Sequence, residues 1–70
     1  MNHEVTGPQA AAILGVSIAT VHRKVDAGVL NAREQGTGER QFIFIEIDDL
    51  RRFAETYGYR INEELIRQYM

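Results

Sequence analysis

The chain has 70 residues, which is room for one domain and not two. It contains no cysteine, which excludes a disulfide staple and any thiolate metal site. No apolar run approaches the roughly 18 residues of a membrane span, and Met1, Asn2, His3 and Glu4 carry no basic-then-apolar signal pattern. A cytoplasmic protein is the expectation. Eight basic residues against ten acidic ones give a net charge of −2. The charge is uneven: residues 1–45 are neutral and residues 46–70 carry the −2. Nucleic-acid binders usually carry a basic footprint, so the overall balance argues against one. Whole-chain charge, however, does not decide what one helix face can do.

Residues 1–4 read as a flexible start. The first predicted element is a helix over 7–14. Thr6 is a good N-cap, and Gln9 three positions on completes a capping box. Pro8 falls in the first turn, where no intrahelical hydrogen bond is lost. Ala10, Ala11, Ile13 and Leu14 supply the apolar face, and Gly15 permits a sharp stop. A second helix is predicted over 18–27, capped by Ser17 and ended by Gly28. Val21 and Val25 point to its buried side. A hairpin follows, with a weak strand over 30–35, a turn over 36–39 and a stronger strand over 40–46. In the latter, Phe42 and Phe44 face one way and Ile43 and Ile45 the other. A third helix starts at 47 or 48 and runs to 57, with Leu50, Phe53, Ala54 and Tyr57 as its buried stripe. A short last helix over 63–69 is capped by Asn62. The six aromatic side chains read mostly as core, and an exposed wing phenylalanine would suggest a subunit contact.

The link Leu14-Gly15-Val16-Ser17 is too short to let the first two helices lie side by side. Ala11 must be small because the second helix packs there, and Val16 and Val21 plug the gap. This is the spacing of a helix-turn-helix, whose second helix suits a major groove about 12 Å wide. The core Ala10-Ala11-x-x-Leu14-Gly15-Val16-Ser17-x-x-Thr20-Val21, followed by Gly28-x-Leu30, resembles the winged helix-turn-helix of MerR and excisionase-like proteins. The resemblance runs over roughly residues 5–55, through Ile47-Asp48-Asp49-Leu50-Arg51-Arg52-Phe53 after the wing.

The resemblance implies an α+β, mainly helical fold: one winged helix-turn-helix over 1–70 with a two-stranded wing and a C-terminal helical extension over 59–70. It implies binding to double-stranded DNA, with the second helix in the major groove and the wing on the adjacent backbone or minor groove. Ser17, Ile18, Ala19 and Thr20 would open the recognition helix. His22 and Arg23 would touch the backbone or a base edge, and Arg40 and Thr37 would act from the wing. Lys24 departs from the family's apolar preference and would snorkel or reach a phosphate. Asp26, Glu34 and Glu39 depart too, because acids repel a phosphate surface.

Neither the coiled coil nor the small-molecule effector domain of true MerR regulators is expected for this protein. Small, phage-borne or mobile-element excisionases are the nearer likeness, bacterial or phage-encoded and acting at the nucleoid. Transcription regulation and architectural bending both remain open. The apolar side of the C-terminal segment over 59–70 (Ile61, Leu65, Ile66, Tyr69) would either complete the core or join a homodimer or cooperative oligomer.

Plainer readings stand beside these. Arg23 and Arg40 also read as surface charge, and His22 as a solvated helix residue. Asp48 and Asp49 read as a helix-terminal pair, and Ser17 as a cap rather than a nucleophile. No cofactor, metal site or acid–base constellation is apparent, so the sequence points away from an enzyme. The alternative function is a winged helix used for protein contact, with little or no DNA binding.

Overall fold

A computed structural model describes residues 3–37 and 40–70, with the backbone alone described for Thr37, Arg40 and Gln41. The elements are β1 (Glu4–Thr6), α1 (Gly7–Leu14), α2 (Ile18–Asp26), β2 (Arg33–Thr37), β3 (Arg40–Glu46), α3 (Ile47–Tyr57) and α4 (Glu63–Tyr69). The class is α+β and mainly helical, as the sequence implies.

The helix boundaries follow from their caps. Thr6 accepts from the Gln9 amide while the Gln9 side chain accepts from the Thr6 amide, so the capping box at α1 is closed on both sides. At the far end Gly15 takes φ +71°, its amide bonds to Ala12, and the Val16 amide bonds back to Ala11. This paired stop turns the chain within one residue. Gly28 repeats the device after α2: its amide reaches Val25, and the Val29 amide reaches Lys24. The helix itself ends at Asp26, with Ala27 as the cap.

The sheet has three antiparallel strands in the order β1-β3-β2, so β3 is central. β1 has no counterpart in the sequence reading. Glu4, expected within a flexible start, belongs to this strand and pairs with Glu46. Three residues are too few for a period-two pattern to show. What holds them is the pairing of Val5 with Ile45, both fully buried, and the Ile47 amide bonding to the His3 carbonyl. Arg33 adds a two-point ion pair to Glu4, with Arg33 Nη2 2.8 Å from Glu4 Oε1, which ties β2 to β1 across the sheet.

The hairpin is shifted from expectation. Leu30 is not in a strand; it sinks into the core, with its amide held by the Lys24 carbonyl. The chain must clear the body before it can pair, so β2 begins at Arg33. Gly36 and Thr37, expected in the turn, pair with Gln41 and Arg40. Residues 38 and 39 of the expected turn lie outside the described residues.

Ile43 and Ile45 face inward, which leaves Phe42 and Phe44 on the outer face, as the alternation requires. The core joins them to Val5, Ala10, Ala11, Ile13, Val21 and Leu50. The expectation that the aromatics are mostly core needs correction. Phe53 is buried, but Tyr57, expected in the buried stripe, is 52% exposed on the last turn of α3; Phe42 is the exposed wing phenylalanine, at 54%, because the isoleucines fill the inner face of β3. Phe53 packs on Tyr57 and on Tyr59, with ring centroids 4.9 and 5.3 Å apart.

α4 completes the body. Ile66 is 1% exposed, and Ile61, Leu65 and Tyr69 are half-buried against the same core. Ile66 takes the first of the two roles open to these residues, and as a buried side chain it is not accessible to a second subunit. The Asn62 amide bonds to the Ile13 carbonyl at 3.0 Å, and both carboxylate oxygens of Glu63 are held by Arg51 of α3.

Candidate nucleic-acid interface

Val21 is the one buried residue of α2. Val21 and the half-buried Val25 dock it on the body, and the small, buried Ala11 of α1 admits it. The opposite face is open. Ser17, Ala19, His22 and Arg23 are exposed, Ile18 is 46% exposed, and Thr20 and Lys24 are half-buried.

Two of the expected contact residues have local duties as well. Ser17 Oγ accepts from the Thr20 amide at 3.1 Å and shares a hydrogen bond with Thr20 Oγ1 at 2.9 Å. This fixes the first turn and leaves its leading amides directed outward, where a helix start favours an anion. His22 lies across the start of α1. A Cβ placed on Gly7 would stand 3.7 Å from His22 Nε2 and 3.1 Å from Ile43 Cγ1, so α1, α2 and β3 meet closely at one point. Thr37 and Arg40 face each other at the end of the hairpin. Their side chains lie outside the described residues.

The cations separate by their partners. Arg33 pairs with Glu4, Arg51 with Glu63, Arg52 with Asp49 and Arg67 with Glu64. The hydrogen bonds in the first two pairs pull the Glu4 and Glu63 carboxyls below the usual range and raise Arg33 and Arg51. Arg33 also lies over the Phe44 ring, 4.7 Å from its centroid. Among the described residues, Arg23, Lys24 and Arg60 have neither an ion pair nor a side-chain hydrogen bond. Two of these three lie on α2, where Asp26 is the one acid. The local charge of the open helix therefore departs from the acidic average of the chain.

The two helices, the three-residue link between them and the hairpin correspond to a known domain. A family model described as a helix-turn-helix domain matches residues 5–58. The chain belongs to that family. Its members are small excisionase-like DNA-binding domains. The helix-turn-helix match takes in α1, α2, the hairpin and α3, and stops just before the linker to α4. No curated protein and no solved structure matches the chain. Among the described residues, the helix-turn-helix domain brings together no group of three metal-ligating side chains, and no helix is long and apolar enough to cross a membrane.

Arg60 is the residue that sequence reasoning passed over. It stands three residues before Glu63 and four before Glu64, a spacing that suggests a partner. The structure gives Glu63 to Arg51 and Glu64 to Arg67.

Proposed function

We propose that this helix-turn-helix protein binds double-stranded DNA sequence-specifically, as a small transcriptional regulator or an excisionase-like architectural factor. α2 enters the major groove, and the β2–β3 hairpin lies on the neighbouring backbone or minor groove. The observation that carries this reading is the open face of α2, with Arg23 and Lys24 free of carboxylates among the described residues while four of the other arginines are neutralised by acids. On this reading Ser17, Ile18, Ala19 and Thr20 approach the bases. Ile18 offers an apolar contact of the kind that reads a thymine methyl. Arg23 and Lys24 hold phosphates, and His22, Thr37 and Arg40 complete the contact. Two copies on adjacent half-sites, about 34 Å apart, would enlarge a footprint of about 600–1,000 Å² per domain. The two copies do not use Ile66, which is in the core.

The experiment is a selection from a random-sequence duplex pool, followed by titration of the enriched duplex over a range of salt. Log K should fall linearly with log salt, and Arg23→Ala should weaken binding without altering the fold. Folded protein that binds no duplex at low salt defeats the proposal. That result would favour the protein-contact alternative, for which the exposed Phe42 on the outer face of the hairpin is the specific support.

A further inference from the structure

Arg60 stands in the linker between α3 and α4, two residues past the end of the family match. The linker is laid across the C-terminal end of α1 by the Asn62–Ile13 backbone bond. There Arg60 lines a shallow open cleft with Ala12, Leu14, Gly15 and Glu63. Gly15 is the turn of the helix pair, and Ser17, the cap of α2, follows two residues later. Glu63 is the other charged group of the cleft, and both its oxygens are held by Arg51. The cleft therefore contains one uncompensated positive charge, beside the turn that leads into α2.

We propose that Arg60 binds a backbone phosphate of the same duplex that α2 enters, on the flank of the turn. The proposal rests on the DNA-binding reading and adds a contact from outside the matched domain. Three features support it. An exposed guanidinium without a carboxylate is the group best suited to a phosphate, since its planar fork presents donors in pairs. Ala12 and Gly15 are small, so the wall of the cleft does not hold a sugar–phosphate chain away. The remaining arginines of residues 46–70 are all held by acids, which leaves Arg60 as the one free cation among the described residues of this acidic half. A contact of this type fixes the position of the protein along the duplex and carries no base information.

The test compares the whole chain with Arg60→Gln, Arg60→Lys and Arg67→Gln in duplex titrations over a range of salt. One phosphate contact contributes about 0.9 to the slope of log K against log salt. Arg60→Gln should lower the slope by about that amount and weaken every duplex by the same factor. Arg60→Lys should restore the slope, and Arg67→Gln, which removes a cation already paired, should leave it unchanged. Melting curves should match throughout, because Arg60 is exposed and has no partner among the described residues. An unchanged slope in Arg60→Gln overturns the proposal while leaving the DNA reading intact. So does a loss confined to duplexes altered at one base pair. Wild-type protein that shows no salt-dependent binding overturns both.

Discussion

Ile66→Ala tests whether α4 is a structural part of the domain. The substitution removes three carbons from a side chain that is 1% exposed and packed into the common core. At about 0.8 kcal/mol per buried methylene, the transfer contribution is roughly 2.4 kcal/mol. The unfilled space raises the total to about 3–4 kcal/mol, within the usual span for such truncations. A domain of this size has a total stability of roughly 3.5–10 kcal/mol, so the loss is a large fraction of it. The midpoint of thermal unfolding, followed by far-UV circular dichroism, should drop by roughly 12–30 °C, and urea titration should show the same loss. A loss below about 1 kcal/mol would refute the placement of α4.

Two further outcomes follow from local geometry. Gly28→Ala should destabilise the domain by about 1–2 kcal/mol, measured by urea unfolding: φ is +78° and a Cβ would meet nothing, so backbone strain is the whole effect. A neutral result would mean that α2 ends differently. Glu4 and Glu63 have carboxyls held below their ordinary values by Arg33 and Arg51, so their contribution is present above the unfolded-state value and fades as pH falls through the folded one. Thermal midpoints should therefore decline on acidification from about pH 5, and Glu63→Gln should show a shallower decline. Identical slopes would show that the Arg51 pair contributes nothing to the acid limb.

The helices were legible because each carries its own boundary signals. Thr6 with Gln9, Ser17, Gly15, Gly28 and Asn62 are local chemistry, and the structure uses each where the sequence places it. The open face of α2 was legible for the same reason: once Val21 and Val25 are assigned inward, His22, Arg23 and Asp26 face outward. β1 was not legible, because its three residues form a strand only when β3 is beside them. The start of β2 was missed because Leu30, a good strand residue, is drawn into the core instead. The distribution of the cations was hidden for a related reason. Arg33 meets Glu4 across 29 positions of sequence, and Arg51 meets Glu63 across 12. Which arginines stay free is decided by such distant partners.

Thr6 closes β1 and caps α1 at once. If β1 slid by a single position along β3, Val5 would turn from the interior to the solvent, and the hydroxyl that holds the Gln9 amide would leave its place. The alignment of the first strand is thus written twice, once in a side chain that must be dry and once in a helix start that must be closed. A slipped alignment fails both conditions together, so this corner of the molecule has no near-miss in which to rest.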